Sequence, residues 1–436
     1  DRSKDLVLNV LIGLLETRKH GWLKEVTLGT NLVSTGFDSG VIWQAVNESL
    51  DAFQLVSVVH WAEEDVIAAT LQSLAAVEPR LPIVVIADNC TDSTAQLARD
   101  AGASVIERQN KAERGKGFAL AFAFDILMNG AGNASEVRGA GADAYIVVDA
   151  DTQVQSDFAL RLLAELPDDP SVPAAVQGRY GVMNGGDGWR AALMSAAFDL
   201  VNHIRLLAID NAGGCLGLKG NGMAFTRGCL AQYPMSGRSV TEDLDYAMDL
   251  MQHGGIRVQY APHAFICAQM PVTDDQARSQ RQRWEGGRYR VVRSRAPQLL
   301  KALISTRDLR FLGAMFELLQ PPLAEQVSGC IGLSSLAILC ALLGSPFAGI
   351  AMAASGFSVV CVLMYVFFGL GLAGAKKETF KALAFAPIYI VWKLVLYAIG
   401  LMSGRRSGKA DTGGADAEWV RTSRIKIPIA DERTNP

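Results

Sequence analysis

A pair of carboxylates gives the clearest chemical signal in the sequence. Asp149 and Asp151 are separated by one residue and directly follow the apolar run Tyr145 to Val148. Such a run predicts a buried strand, which would place both carboxylates at a strand end. Hard divalent cations such as Mg2+ and Mn2+ prefer oxygen ligands and bind between a carboxylate and substrate phosphates. The position of this pair, more than the common D-x-D pattern itself, indicates metal-assisted chemistry on a phosphorylated substrate.

A second acidic group, Thr241-Glu242-Asp243, precedes a predicted helix. Helix capping by Thr241, with favourable acidic residues in the first turn, is one explanation. The other is catalysis, in which one carboxylate acts as a general base and removes the proton from an attacking hydroxyl. Taken alone, the triplet leaves both explanations open.

A strongly basic stretch at 273–295 contains Gln280, Arg283 and Trp284. One interpretation is a cationic helix resting on anionic lipid headgroups. In the other, Arg283 holds a diphosphate through paired hydrogen bonds and Trp284 stacks on a sugar ring. The order of these motifs along the chain is what favours the second interpretation.

Alternating strands and helices would position these groups. The predicted strands of the first part of the chain are 55–59, 83–87, 105–107 and 144–148, and the predicted helices are 63–76, 93–102 and 117–128. This alternation predicts an α/β fold with a parallel sheet and a nucleotide site at the carboxyl ends of its strands. Farther along, the pattern predicts helices at 158–166, 188–209 and 241–253 and extended segments at 174–180 and 257–260. The glycine-rich segment 211–222 suits a backbone that approaches a ligand closely.

Three apolar segments near the C-terminus, at 327–343, 347–372 and 380–402, approach or exceed the length needed to cross a bilayer. Lys393 lies in the middle of the third segment, where a lipid-facing charge would be costly. We therefore expect that segment to be interfacial, re-entrant or buried against another element. We expect a multi-pass protein of the inner or plasma membrane with a cytoplasmic catalytic domain. The loop that contains Lys376, Lys377 and Lys381 then lies on the cytoplasmic side after two crossings, as the positive-inside rule prefers.

Composition excludes several other classes of protein. A net charge of -3 gives no electrostatic reason to expect nucleic acid as a partner. The seven cysteines occur singly, without a C-x-x-C pair, which argues against a zinc site or a disulfide framework. Hydrophobic residues make up 50% of the chain and charged residues 19%, which is consistent with an appended membrane region.

The motifs occur in the order found in glycosyltransferase family 2: Asp88, the Asp149/Asp151 pair, the Thr241-Glu242-Asp243 triplet and the Q-x-x-R-W of Gln280 to Trp284. The chain resembles the branch of cellulose synthase, hyaluronan synthase and bacterial poly-N-acetylglucosamine synthase from about Glu63 to Arg295. The resemblance implies a GT-A, Rossmann-like nucleotide-sugar-binding domain followed by transmembrane or interfacial helices. One segment departs from the family, because only the acidic end of Val58 to Glu64 matches.

The resemblance also implies a role for each donor-side residue. Asp88 would contact the nucleobase or ribose, and Lys116 would lie near the nucleotide. Asp149 would also contact the nucleotide, whereas Asp151 would ligate Mg2+ or Mn2+. Arg283 would bind the diphosphate.

The remaining roles concern the acceptor. Asp243 would be the general base, with Glu242 supporting it. Gln280 and Trp284 would line the acceptor entrance, and Asn221, in the Lys219 to Gly222 turn, would contribute to the acceptor pocket. The turn has an alternative interpretation as an ordinary glycine turn.

These inferences divide the chain into an N-terminal extension, a catalytic domain, interfacial linker helices, a membrane region and a polar tail, with expected bounds 1–54, 55–295, 296–326, 327–402 and 403–436. The expected activity is inverting transfer from a UDP-sugar to a glycan acceptor, in synthesis of a β-linked exopolysaccharide. The alternatives are single-sugar transfer to a lipid-linked acceptor and an inactive scaffold subunit. Expected partners are the lipid bilayer and assembly or export subunits.

Overall fold

The computed structural model describes residues 55–60, 66–78, 80–130, 137–237, 241–270 and 274–395, with the backbone alone at 55–60 and 274–286. The expected extension at 1–54 and the tail at 403–436 lie outside these residues. The chain forms two compact units. The first contains the described residues up to Arg179 together with Leu218–Ile266, and the second contains Tyr180–Gly217 and the described residues from Cys267 onward.

The first half of the fold alternates strands with helices as the sequence predicts. Its elements are β1 (Leu55–His60), α1 (Ile67–Ala75), β2 (Ile83–Asp88), α2 (Thr94–Asp100), β3 (Ser104–Arg108), α3 (Lys116–Asn129) and β4 (Ala144–Asp149). Strands β2 and β4 are almost entirely buried. Apolar runs of this kind are typical of strands covered by helices on both faces.

The elements that follow in chain order are β5 (Thr152–Val154), α4 (Phe158–Leu163), β6 (Ala175–Val182), α5 (Trp189–Asn211), β7 (Met223–Thr226), α6 (Arg227–Gln232), α7 (Glu242–Gly254) and β8 (Gln259–Ala268). In the described part of the chain, the strand order is β3-β2-β1-β4-β7-β6-β8-β5. Strands β1 to β4 pair in parallel, whereas β7 is antiparallel to both β4 and β6. The expectation of a parallel sheet is therefore corrected to a mixed sheet, because the four-residue β7 is too short to produce a periodic signal.

Strand register brings the candidate residues to one edge of the sheet. Asp88, the last residue of β2, pairs with Arg108, the last residue of β3. Asp149, the last residue of β4, pairs with His60 at the end of β1. The carboxyl ends of the parallel strands thus form a single edge, which is where ligands bind in open α/β sheets.

Aromatic packing fixes the two helices that begin at this edge. The ring of Phe124 on α3 meets Tyr145 edge-on at 5.8 Å and Phe225 at 6.4 Å between centroids. Phe225 in turn meets Tyr246 on α7 at 5.6 Å. Edge-to-face pairs of this kind stabilise by about 0.5–1.5 kcal/mol each beyond their buried area. Helices α3 and α7 are therefore held against β4 and β7.

The second unit is helical: α5 (Trp189–Asn211), α8 (Asp274–Thr306), α9 (Arg310–Leu319), α10 (Leu323–Leu342), α11 (Ala348–Leu372) and α12 (Lys377–Ala382). The middle of α5 is a π-helical segment, Asp199–Ile204. The hydroxyl of Tyr365 on α11 donates to the carbonyl of Leu200 in that segment at 2.7 Å. The expected domain end at residue 295 falls inside the continuous helix α8.

Three helices in the described part of the chain are long and apolar enough to cross a membrane: α5, α10 and α11. The last two match the first two predicted segments. The third predicted segment, 380–402, is broken by a 3-10 turn at Leu383–Phe385, and its residues after 395 lie outside the described part. Lys393 is buried, and its ammonium lies 3.4 Å from the Glu325 carboxylate on α10. The expectation that this segment is interfacial, re-entrant or buried stays a prediction.

Candidate active site

A tight turn, Lys219 to Gly222, lies beside the end of β4 and is held by three fully buried polar side chains. The Asn221 amide accepts a hydrogen bond from the Asp149 backbone N–H at 3.1 Å and donates to the Thr152 hydroxyl at 2.8 Å. Gln177 donates to the Asn221 carbonyl at 2.9 Å and accepts from the Lys219 N–H at 2.8 Å. Because buried polar groups are costly unless paired, this network fixes the turn.

The structure places the side chain of Asn221 inside the turn. It is fully buried, and its amide is hydrogen-bonded to Asp149 and Thr152. Asn221 therefore fixes the shape of the turn, as the alternative interpretation of an ordinary glycine turn would allow. The expected acceptor contact of Asn221 stays a prediction.

Lys116 begins α3 and connects this turn to β4. Gly115, the residue before it, has a backbone φ of +127°, which residues other than glycine rarely adopt. The Lys116 ammonium donates to the Asp149 carboxylate and to the Gly220 carbonyl. Both residues that were expected near a nucleotide, Lys116 and Asp149, are thus brought together as an ion pair.

Glu242 and Asp243 begin α7 and lie beside the start of α3 and the Lys219 to Gly222 turn. A β-carbon on Gly220 would stand 3.2 Å from Asp243 Oδ2 and 3.7 Å from Lys116 Nζ, so both charged groups lie against this turn. Gly117 packs so closely that a β-carbon there would come within 2.9 Å of the Glu242 β-carbon. Acidic side chains in the first turn of α7 suit the helix dipole, but Thr241 makes no capping hydrogen bond.

The environment of these carboxylates changes their protonation. Burial raises the pKa of Glu242 to about 8, and the neighbouring charge of Asp243 adds to the rise, whereas Lys116 opposes it. Burial also raises the pKa of Asp243, against the backbone N–H of Leu244 and the charges of Lys116 and Lys219. A carboxyl group with a raised pKa is better matched to accepting a proton near neutral pH than an exposed one.

The charge of Lys116 is stabilised by the same group of carboxylates. Burial alone would lower the pKa of its ammonium, but the charges of Asp149, Glu242 and Asp243 outweigh burial and the net change is upward. Lys116 therefore remains a cation at the centre of the site. A fixed ammonium beside a backbone turn is a group that binds phosphate oxygens.

The model of the glycosyltransferase-like family 2 matches residues 54–287, more than half of the chain. The chain belongs to this family. The match runs from β1 into α8 and includes all the acidic residues of the site. The family match and the mixed sheet together show that this family 2 chain has a GT-A-like glycosyltransferase fold, as the resemblance implied. The synthase branch stays a prediction.

Among solved structures, the chain is similar to the mannosyltransferase PcManGT from Pyrobaculum calidifontis in complex with GDP-Man and Mn2+, at 16% identity over 76% of this chain and 86% of that chain, with a TM-score of 0.43. It is also similar to glucosyl-3-phosphoglycerate synthase from Mycobacterium tuberculosis in complex with Mn2+, UDP and glucosyl-3-phosphoglycerate, at 18% identity over 55% and 83%, with a TM-score of 0.37. A search of the curated proteins gives no match. Likeness at this level identifies neither the donor nor the acceptor of this family 2 chain.

Asp151, the expected metal ligand, is buried and comes two residues after the end of β4. The described residues contain no group of three or more histidine, cysteine or acidic side chains that could hold a metal ion. This donor set fits a cation that takes one carboxylate from the protein and its other ligands from substrate phosphates and water, as Mg2+ commonly does.

The Q-x-x-R-W residues lie on α8, in the second unit. The side chains of Gln280, Arg283 and Trp284 fall outside the described residues, so their expected contacts stay predictions.

Two features of the site were missed from sequence. Arg108 forms a buried ion pair with Asp88, and Lys116 pairs with Asp149. A sequence shows that such charged residues are present but not which of them interact. The partners in these two ion pairs are 20 and 33 positions apart, respectively. The available signal was positional, because Arg108 directly follows the predicted strand 105–107 and Asp88 directly follows the predicted strand 83–87.

Proposed function

We propose that this chain is an inverting glycosyltransferase that moves a sugar from a UDP-sugar to a glycan acceptor hydroxyl, in the synthesis of a β-linked exopolysaccharide. One observation carries the proposal: the Lys116 ammonium and the Asp243 carboxylate lie against the same turn at Gly220. An anion-binding group and a proton acceptor are therefore close enough to act on one substrate.

Donor binding follows from the edge of the sheet. Asp88, at the end of β2, would contact the nucleobase or ribose, Asp149, at the end of β4, would contact the nucleotide, and Lys116 would bind the diphosphate. The resemblance also assigns Arg283 to the diphosphate. Asp151 would hold Mg2+ or Mn2+, which supplies a Lewis acid that neutralises the departing diphosphate. Lys116 adds a second positive charge in a partly buried position, where electrostatic stabilisation is stronger than in water.

Transfer is a single displacement. The Asp243 carboxylate removes the proton from the acceptor hydroxyl, and the hydroxyl oxygen forms a bond to the anomeric carbon as the bond to the diphosphate breaks. Attack on the face opposite the leaving group inverts that carbon. Glu242 supports the base from the adjacent position on α7, where burial and the charge of Asp243 raise the pKa of Glu242 to about 8.

The acceptor side supports a polymer product. Gln280 and Trp284 belong to the Q-x-x-R-W segment, which the resemblance associates with polymerising members of the family. The apolar helices α5, α10 and α11 are compatible with a membrane protein whose catalytic domain is cytoplasmic. They also fit the second candidate, transfer of a single sugar to a lipid-linked acceptor. Assembly or export subunits would be partners in either case.

Product length separates these functions. The purified full-length protein is incubated with each of several radiolabelled UDP-sugars and Mn2+, and the products are sized. The proposal predicts a polymer, lost in Asp243→Asn but kept in Asp249→Asn, a matched carboxylate on α7 that lies 3.6 Å from His253. A single-sugar product contradicts the polymerase and supports lipid-linked transfer. If neither sugar transfer nor donor hydrolysis is detected, both enzymatic functions are contradicted, and the result supports an inactive scaffold subunit.

A further inference from the structure

Arg108 holds the carboxylate that the proposed function assigns to the nucleoside. Its guanidinium donates to Asp88 Oδ1 at 2.8 Å, and the two side chains are only 6% and 8% exposed. Asn89 donates to the same oxygen at 3.1 Å. In the described part of the chain, both hydrogen bonds to the Asp88 side chain fall on Oδ1, which leaves Oδ2 as the oxygen for a ligand.

Arg108 also holds the loop that leads to Lys116. Its guanidinium donates to the Glu113 carbonyl at 2.8 Å and lies 3.2 Å from the Glu113 carboxylate. Glu113 is three residues before Lys116, so the same guanidinium constrains both the nucleoside side and the phosphate side of the donor site. A planar guanidinium with five N–H donors can make these contacts together, which an ammonium cannot reproduce geometrically.

The corner around Arg108 is rigid on its other side as well. Asn89 adopts a positive φ of 54°, which asparagine tolerates better than most residues. It exchanges hydrogen bonds with Asn110: its amide donates to the Asn110 carbonyl at 3.1 Å and accepts from the Asn110 N–H at 2.9 Å. Strand ends β2 and β3 are therefore locked together before any ligand arrives, and Asp88 has little freedom to turn.

We propose that Arg108 is a positioning residue for the donor nucleotide, which fixes Asp88 so that Oδ2 accepts a hydrogen bond from a ring N–H of the base. This inference rests on the proposed function, because it assumes a nucleotide-sugar donor. An ionised carboxylate only accepts hydrogen bonds. Uracil presents N3–H to such an acceptor, whereas cytosine presents a bare N3 and is disfavoured. Arg108 would thus determine nucleobase selectivity without touching the base.

The test compares three variants of the full-length protein. Arg108→Met removes the guanidinium, Arg108→Lys keeps only the charge, and Arg99→Met is the matched control. Arg99 forms an ion pair with Glu107, the neighbour of Arg108 on β3, but both side chains are about half exposed. Thermal unfolding is measured for each variant, together with the Kd for UDP and for CDP by calorimetry and the KM and kcat for the UDP-sugar.

A positioning role predicts that Arg108→Met raises the Kd for UDP and the KM for the donor by about tenfold or more, as expected for loss of a charge-assisted contact. The kcat at saturating donor changes by less than about twofold, because Arg108 touches no reacting atom. The ratio of the Kd for CDP to the Kd for UDP also decreases. Arg108→Lys recovers part of the loss, and Arg99→Met changes none of these values. An unchanged Kd for UDP in folded Arg108→Met overturns the inference.

Asp88→Asn keeps the inference testable if Arg108→Met fails to fold. The amide keeps an oxygen for the contact with Arg108 and places a donor N–H where Oδ2 stood, which suits the bare N3 of cytosine. The preference for UDP over CDP should therefore fall by about tenfold or more. An unchanged preference overturns the inference. Nucleotide binding is measured without turnover, so absence of sugar transfer by the wild type would contradict the proposed function alone.

Discussion

Replacing Lys116 by Met tests whether one cation serves both the donor and the base. Lys116 Nζ and Asp243 Oδ2 lie 3.7 and 3.2 Å from the place of a β-carbon on Gly220, so they are no more than about 7 Å apart. At that distance and an effective dielectric constant of about 20, opposite unit charges attract by about 2 kcal/mol. Losing that attraction makes the ionised base less stable.

The sign of the effect follows from the charges. Lys116 lowers the pKa of Asp243 and of Glu242, so Lys116→Met raises both further above the usual carboxyl range. The base must be ionised to accept a proton, and kcat/KM therefore falls on the acid side. The acid limb of the pH profile of kcat/KM should move upward by about one pH unit or more. At neutral pH the rate should fall by roughly thirtyfold or more, since a phosphate contact is lost as well.

The assay is transfer from a radiolabelled UDP-sugar, measured from pH 5 to 9 as about ten points per variant. Lys116→Arg keeps the charge and should keep the position of the acid limb. Lys219→Met is the second control, because Lys219 also lowers the pKa of Asp243 but does so less than Lys116. Its acid limb should move less. An acid limb that stays in place in Lys116→Met would refute the coupling between this cation and the base.

Three further results are expected. Gly117→Ala would bring a β-carbon within 2.9 Å of Glu242, so the free energy of unfolding should fall by about 1–3 kcal/mol in a denaturant titration; an unchanged midpoint would contradict the close packing. Gln177→Leu leaves the Asn221 carbonyl without its buried donor, which should cost about 1–3 kcal/mol by the same measurement, and a neutral result would mean that this bond is dispensable. Chelation by EDTA should abolish transfer, and Mn2+ should restore it in wild type but not in Asp151→Asn; activity that survives chelation would contradict the metal requirement.

Sequence reasoning was most successful where a local pattern determines structure. The apolar runs 83–87 and 144–148, which Asp88 and Asp149 directly follow, predict strands β2 and β4, and the structure confirms both. The same rule predicts that the two carboxylates share one edge of the sheet, because parallel strands end together. Local pattern does not predict β7, because its four residues are too few to show a hydrophobic period. Its position depends on pairing with β4 and β6, which are far from it in the sequence.

Partners of charged side chains were not predictable. The ion pairs of Asp88 with Arg108 and of Asp149 with Lys116 depend on tertiary packing, and nothing local in the sequence specifies them. Asn221 shows the same limit, since its full burial follows from the network around the turn rather than from its neighbours in sequence. The prediction of helices long and apolar enough to cross a membrane is confirmed for α10 and α11. Helix α5 meets the same criterion of length and apolar composition, although the sequence pattern predicts it only as a helix at 188–209.

The most direct test of the proposed chemistry is sugar transfer by the Asp243→Asn variant under conditions in which donor still binds. Calorimetry first establishes the Kd for UDP in the wild type and in the variant, and single-turnover transfer from a radiolabelled UDP-sugar with Mn2+ is then measured at saturating donor. General base catalysis by Asp243 predicts an unchanged Kd and a transfer rate lower by about a hundredfold to ten-thousandfold. A variant that binds UDP normally and transfers sugar at the wild-type rate would contradict the central claim.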